Sequence, residues 1–152
     1  TLVEEFSRLR LYLILEKLRL EEKLNYTLNI DQALYSENIL MPVMIIQPFV
    51  ENAILHGLLP KEEGGMIEIN AEKVSSDSYK ITIKDNGVGF DPVNLPKKVK
   101  KHNSVSIDFT TERIKLLSKI SPQSYSFKIL DRNEIEGISG TIIQFILPFS
   151  HK

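Results

Sequence analysis

The sequence has 152 residues, of which 42% are hydrophobic and 26% are charged, and its 19 Lys and Arg against 20 Asp and Glu give a formal net charge of −1. This composition excludes disorder caused by low hydrophobicity, and it has no basic surplus of the kind that nucleic-acid-binding proteins carry. Cysteine is absent, which excludes disulfides and thiol catalysis. No apolar run approaches the roughly 20 residues of a membrane-spanning helix, so we expect no direct membrane insertion.

The pattern of residues 2–24, which contain no Gly or Pro, predicts one long helix. One set of apolar residues recurs at a spacing of three and four: Leu2, Phe6, Leu9, Leu13, Leu20 and Leu24. A second set widens the apolar face: Leu11, Ile14, Leu15 and Leu18. Two interpretations stay open, a helix that packs on the domain core or a seam between two copies. Because the chain begins at Thr1 within this pattern, we expect it to be part of a longer protein.

The remaining segments alternate between strand and helix patterns. Residues 24–30 predict a strand, and a helix from about Pro42 to Gly57 follows, in which Pro48 requires a kink or a late start. The later elements are strands at 65–74 and 78–85, a mobile loop at 91–103, a helix at 105–120 and strands at 125–131 and 141–148. Because strands outnumber the helices that could cross between them, we expect an α+β two-layer sandwich with a mixed, mostly antiparallel sheet and helices on one face.

The segment Q-P-F-V-E-N-A-I-L-H-G at residues 47–57 separates apolar from polar side chains. On a helix, its polar residues collect on one side: Gln47, Glu51, Asn52 and His56. A solvated face is one interpretation. A site for Mg²⁺ and phosphate is the other, because Mg²⁺ prefers oxygen ligands and keeps substrate phosphates in its shell.

The segment D-N-G-V-G-F at residues 85–90 directly follows an alternating strand. It is compatible with a simple turn or a calcium loop. It is also compatible with a base pocket, in which Asp85 accepts a hydrogen bond from an adenine amino group. Gly87 and Gly89 would then let the backbone approach the ring closely.

Together these motifs resemble the GHKL (Bergerat) ATP-binding domain. The resemblance rests on E-N-A-x-x-H-G, then D-N-G-x-G-F 33 residues after the asparagine, and a terminal S-G-T-I-I-Q-F-I-L-P. More narrowly, I-L-M-P-V-M-I-I-Q-P-F-V-E-N-A-I-L-H-G resembles the LytS/YehU-type sensor histidine kinases. The resemblance extends from Leu2 to Pro148. It implies that residues 1–24 are a coupling and dimerisation helix from the phosphoacceptor region, and that residues 25–152 are the ATP-binding catalytic domain.

On the phosphate side, the resemblance implies that Asn52 holds Mg²⁺ between the phosphates of ATP, with Glu51 and His56 around the same polyphosphate. Residues 91–103 correspond to the lid over the nucleotide. Leu55 stands where the family often has a lysine.

On the base side, the resemblance implies that Asp85 reads adenine, that Gly87 and Gly89 shape the base pocket, and that Thr141 supports the hydrogen bonds around the adenine. Ser104 and Ser106 replace both glycines of the family's second glycine motif. Serines at a helix start still offer hydroxyl and amide groups to an anion.

The resemblance implies a catalytic domain that transfers the γ-phosphoryl of ATP to a histidine on an upstream domain. None of the three histidines of the chain lies in the family's P-H-F-x-x-N motif, so no catalytic residue is expected in this fragment. The implied partners are an upstream phosphoacceptor and sensor domain, a response regulator and a second copy of the full-length protein. The implied location is a cytoplasmic domain of a membrane-anchored protein.

Two alternatives differ in chemistry. A nucleotide-defective signalling or dimerisation module of the same fold is favoured by Leu55, Ser104 and Ser106. A hydrolytic ATPase of the gyrase or MutL type is disfavoured, because the position four residues before Asn52, where those branches carry a glutamate base, is Pro48.

Overall fold

Five strands form one mixed sheet in the order β1-β2-β3-β5-β4. The computed structural model describes residues 1–36, 38–89, 109–117, 119 and 125–149. The strands are β1 (Leu24–Ile30), β2 (Gly65–Lys73), β3 (Ser78–Asp85), β4 (Ser126–Asp131) and β5 (Thr141–Pro148). Only the pair β1–β2 is parallel; the other three pairs are antiparallel. The predicted α+β fold with a mixed, mostly antiparallel sheet is therefore confirmed.

The described helices are α1 (Leu2–Leu20), α2 (Gln32–Tyr35), α3 (Gln47–Asn52), α4 (109–117) and α5 (Arg132–Glu136). A π-helical segment, Ala53–Leu58, continues α3. The hydrophobic core lies between α1–α4, with the π-helical segment, and one face of the sheet. The helix α5 meets the other face, where Arg132 contacts Glu68 of β2. At its centre Phe49, Phe127 and Phe145 pack with ring centroids 5.1–5.4 Å apart.

The two apolar sets of α1 have different surroundings. Leu2, Phe6, Leu9 and Leu13 are buried in the core. In contrast, Leu11, Leu15 and Leu18 are 64–72% exposed. The N-terminal half of α1 therefore packs on the domain, and the second set forms an uncovered stripe. No helix in the described ranges is both long and apolar enough to cross a bilayer.

Three helix boundaries differ from the prediction. The first helix ends at Leu20, and a short 3₁₀ turn leads from it to β1, because Glu21 adopts φ 50°. The helix expected from Pro42 begins at Gln47, since proline lacks an amide donor and Pro48 fits only the first turn. That helix does not end at Gly57 but continues to Leu58 with the wider π geometry.

A buried carboxylate connects α1 to the segment before α3. The Met44 N–H donates to Glu5 Oε1 at 3.1 Å, and the Leu2 N–H donates to the Ile39 carbonyl at 2.9 Å. Met44 adopts φ 60°, which is uncommon for a residue with a side chain. The loop at residues 39–46 is thus held by the first turns of α1.

Candidate functional site

Asp85 is a buried carboxylate at the end of β3, with 3% of its surface exposed. It accepts hydrogen bonds from the backbone N–H of Gly87, at 2.9 Å to Oδ1, and from that of Thr141. Burial raises the pKa of Asp85, while these two bonds and the charges of Arg132 and Lys61 oppose the rise. The site therefore holds a carboxylate that is desolvated, fixed in direction and able to accept a further hydrogen bond.

The turn after Asp85 lies directly against the π-helical segment. The Val88 N–H donates to the Gly57 carbonyl at 3.0 Å. A Cβ on Gly87 would lie 2.4 Å from the Gly57 carbonyl carbon, and a Cβ on Gly57 would lie 3.2 Å from Asp85 Oδ1. The close contact with the Gly57 backbone explains why position 87 is glycine, and position 57 is tight against the Asp85 carboxylate.

The end of the chain closes the other side of the same turn. Antiparallel pairing of β3 and β5 places Lys84 opposite Ile142, so Thr141 lies beside Asp85 one step further along. The Ser139 hydroxyl donates to the Gly87 carbonyl at 2.7 Å. Gly140, at φ 134°, packs so closely that a Cβ would lie 2.0 Å from the Asp85 carbonyl oxygen. The fold therefore brings the predicted residue Thr141 next to Asp85 and Gly87, from which it is far apart in the sequence.

Two cations that sequence reasoning missed lie beside this turn. The buried Arg132, the first residue of α5, donates from Nη1 to the Asp85 carbonyl at 3.1 Å. Lys61, in the loop after the π-helical segment, donates from Nζ to the Asn86 carbonyl at 2.9 Å. No local pattern marks either residue, because both contacts depend on how the strands and loops pack.

Asn52 is the last residue of α3, and its side-chain amide nitrogen is buried without a hydrogen-bond partner among the residues that the structure describes. An unpaired buried donor costs about 1–3 kcal/mol. The carboxamide fits a metal–phosphate ligand, since Oδ1 is a ligand type that Mg²⁺ accepts and Nδ2 is a donor for a phosphate oxygen. No group of three or more acidic, histidine or cysteine side chains that could hold a metal occurs among the described residues. A cation held here would therefore keep phosphate oxygens and water as its other ligands.

Glu51 and His56, the other predicted residues of this helix, are half-buried. Glu51 Oε1 accepts a hydrogen bond from Gln47 Nε2 at 2.8 Å. Burial raises the pKa of Tyr12 to about 12, and the charges of Glu16 and Glu51 add to the rise. Glu51 thus faces α1. His56 lies in the π-helical segment next to Gly57, the residue that touches the Asp85 turn.

Several predicted positions lie outside the described residues: the loop at 91–103, Ser104 and Ser106. Gly89 is described and adopts φ 84° close to Gly140. Leu55 is 41% exposed on the π-helical segment.

The expectation that Asp85 accepts a hydrogen bond from adenine predicts that binding of adenosine weakens on acidification, through loss of the Asp85 charge. Because burial raises the pKa of Asp85, protonation begins above the pH of about 3.9 at which an ordinary aspartate titrates. Affinity is then complete above the raised pKa and falls as the pH falls through it. The contribution of Asp85 to folding stability has the opposite sign and grows on acidification, since the folded state binds this proton more readily.

NMR titration of adenosine at several pH values measures this loss, and adenosine carries no phosphate that would titrate in the same range. Asp77→Asn, which removes an exposed carboxylate from the turn before β3, is the control and is expected to keep the same loss of affinity on acidification. An affinity that stays constant down to pH 4 would contradict the role of the charged carboxylate.

Comparisons with known proteins indicate the family and the fold of the chain. Residues 38–150 match the family model described as histidine kinase-, DNA gyrase B- and HSP90-like ATPase. The Bacillus subtilis (strain 168) protein YwpD is 40% identical over 88 residues, which are 58% of this chain and 31% of that protein. Sensor histidine kinase/phosphatase LytS of Staphylococcus aureus (strain MRSA252) is 35% identical over 89 residues, 59% of this chain and 15% of that protein. The aligned part thus spans about a third or less of these curated relatives.

The fold also matches a solved structure. The mycobacterial sensor histidine kinase MprB superposes with a TM-score of 0.63 over 99% of this chain and 96% of that chain, at 11% sequence identity. At this identity the match concerns the arrangement of helices and strands.

Proposed function

The chain belongs to the histidine kinase-, DNA gyrase B- and HSP90-like ATPase family, and from this premise we propose that it is the ATP-binding catalytic domain of a LytS-like sensor histidine kinase. The observation that carries the proposal is the buried Asp85 carboxylate, whose oxygen is oriented by the Gly87 N–H at 2.9 Å. Such an acceptor suits the exocyclic amino group of adenine.

In this proposal the base lies beside Asp85, and the glycine turn allows its close approach. Gly89 leaves space next to the ring, Gly87 lets the turn pack against the Gly57 backbone, and the Thr141 N–H holds the carboxylate in place. A base without a donor at this position would leave a buried charge unpaired, which is costly.

The phosphates extend toward Asn52, which would hold Mg²⁺ through its side-chain oxygen. Bound Mg²⁺ would neutralise charge that develops on the phosphates during transfer. We propose that His56 contributes to the same end of the site and that Ser104 and Ser106 offer donors to the phosphates. Glu51 belongs to this end by the resemblance, although its carboxylate accepts from Gln47 and faces α1. The loop at residues 91–103 is the lid in this proposal. Its Lys97, Lys98, Lys100 and Lys101 are the cations that could stand in for the lysine missing at Leu55.

The proposed reaction joins the γ-phosphorus to a nitrogen of a histidine on an upstream domain and breaks its bond to the bridging oxygen, so that ADP leaves. This domain contributes mainly positioning and charge stabilisation. We propose that residues 1–24 are the helix that connects the two domains, that the full-length protein is a membrane-anchored dimer, and that a response regulator receives the phosphoryl group.

Replacing Asn52 by Ala is expected to lower the affinity for a non-hydrolysable ATP analogue about tenfold in the presence of Mg²⁺, the amount that a lost hydrogen bond to a charged group represents. Isothermal titration with Mg²⁺ and with EDTA measures this effect, and the difference between the two conditions should disappear in the variant. Asn38→Ala, at an exposed position, is the control and should bind like the wild type. A folded wild-type chain that does not bind the analogue at millimolar concentration would overturn the proposal.

The second candidate is a signalling module of the same fold that has lost productive use of ATP. The exposed Leu55 favours it, since the position offers no cation to the phosphates. Full-length protein with its upstream histidine distinguishes the two. Phosphohistidine formed from labelled ATP supports the kinase, whereas nucleotide binding without transfer supports the second candidate.

A further inference from the structure

Two cations bind two successive carbonyl groups of the turn that begins at Asp85. Arg132 Nη1 donates to the Asp85 carbonyl at 3.1 Å, and Lys61 Nζ donates to the Asn86 carbonyl at 2.9 Å. Arg132 belongs to α5 and Lys61 to the loop after the π-helical segment. The two side chains thus reach the turn from separate parts of the chain.

Arg132 is itself held at several points, so that it can act as a rigid support. Its Nη2 donates to Glu68 Oε1 at 3.1 Å and its Nε to Glu136 Oε2 at 2.8 Å. Its backbone N–H donates to the Gly140 carbonyl at 3.0 Å. Lys84 pairs with Glu136 on the same network. A planar guanidinium with this many fixed partners orients a carbonyl group more strictly than a mobile ammonium would.

Fixing these carbonyls also fixes the Asp85 side chain. The Asp85 carboxylate and the Asp85 carbonyl group are attached to the same Cα. The Gly87 N–H, which orients Oδ1, and the Asn86 carbonyl, which Lys61 contacts, belong to one planar peptide group. With both carbonyls tied down, the backbone that carries the carboxylate and the Gly87 N–H that orients it are held in place.

We propose that Arg132 and Lys61 are positioning residues that set the preference for adenine over guanine by immobilising the Asp85 turn. This inference rests on the proposed function. Adenine presents an amino donor at its six-position, whereas guanine presents a carbonyl oxygen there. A fixed carboxylate accepts from the former and repels the latter. A carboxylate that can turn aside, or that takes up a proton and becomes a donor, tolerates guanine.

The test compares non-hydrolysable analogues of ATP and GTP by isothermal titration with Mg²⁺. The variants are Lys61→Met, Arg132→Met and Arg132→Lys, and the control is Lys80→Met, which removes a half-buried lysine of β3 paired with Glu72. The ratio of ATP-analogue to GTP-analogue affinity is expected to fall about fivefold in Lys61→Met and about tenfold in Arg132→Met, on the scale of one charge-assisted hydrogen bond. Arg132→Lys should recover part of the ratio, and Lys80→Met should keep it.

A second readout uses the nucleotide-free protein and follows the Asp85 carboxyl carbon by NMR during a pH titration. The groups that act on this carboxyl are the cations Lys61 and Arg132 and the N–H groups of Gly87 and Thr141. Glu68 and Glu136 lie behind Arg132. Removing either cation should move the titration midpoint to higher pH, and Lys80→Met should leave it in place.

Folded variants that keep both the wild-type ratio and the wild-type midpoint would overturn the inference. If Arg132→Met does not fold, Lys61→Met decides, because its side chain is only half-buried. If the wild type binds neither analogue, the proposed function fails. The inferred preference for adenine then fails with it, and a raised midpoint shows that the charges of the two residues still act on Asp85.

Discussion

Replacing Asp85 by Asn is expected to reduce the affinity for an ATP analogue at least about 100-fold, the scale on which a site built for one hydrogen bond rejects a mismatched partner. The Gly87 N–H already orients Oδ1 at 2.9 Å. The new amide nitrogen would therefore occupy the other position and confront the amino group of adenine with a second donor. The free energy of unfolding should not fall together with the affinity, because the substitution removes a charge that burial disfavours.

Isothermal titration measures the affinity, and thermal unfolding monitors the fold. Asp77→Asn makes the same chemical change in the exposed turn before β3, at the end of the strand opposite Asp85, and it should bind normally. Nearly unchanged binding by Asp85→Asn would remove the carboxylate from the site. A melting temperature lowered by more than about 3 °C, equivalent to roughly 1 kcal/mol for a chain of this size, would instead point to a structural role.

Replacing Gly140 by Ala is expected to lower the free energy of unfolding by about 3 kcal/mol or more, which is large for a single methyl group. The added Cβ would lie 2.0 Å from the Asp85 carbonyl oxygen and 3.0 Å from the Asn86 Cα. The backbone at φ 134° also disfavours any side chain. Relief of the clash must move β5 or the Asp85 turn, so binding of an ATP analogue should weaken as well.

Gly137→Ala separates backbone strain from the clash. Gly137 also has a positive φ, 68°, but a Cβ there meets no atom within 4 Å. Its cost should be about 1 kcal/mol, the ordinary cost of the left-handed conformation. Chemical unfolding of both variants compares the two costs. Equal losses would mean that the close approach of Gly140 to Asp85 contributes nothing to stability.

The strands were predictable because apolar and polar residues alternate with a period of two along them, and the two faces of the packed sheet keep this alternation. The bounds of β1, β3 and β5 coincide with the predicted segments. The short helices α2 and α5 were not predicted, since four or five residues carry too little periodicity. In both cases an aspartate, Asp31 or Asp131, caps the helix through a backbone N–H two residues later.

The base side of the site was predictable in part. Asp85 and Gly87 stand in one short motif, and the resemblance adds Thr141. Arg132, Lys61 and Ser139 escaped prediction for a physical reason, since each acts on a backbone carbonyl of the turn. Carbonyl acceptors are present at every residue, so no choice of side chain in the sequence shows which of them a cation or a hydroxyl will contact.

The position of β5 in the sheet has a consequence for biosynthesis. This strand is the last one described along the chain, yet it lies between β3 and β4 and supplies the N–H that bonds to Asp85. While a ribosome is still making residues 126–140, β3 has no partner on that side and the carboxylate lacks its second donor. The proposed site is therefore completed only after every other strand that the structure describes has been made.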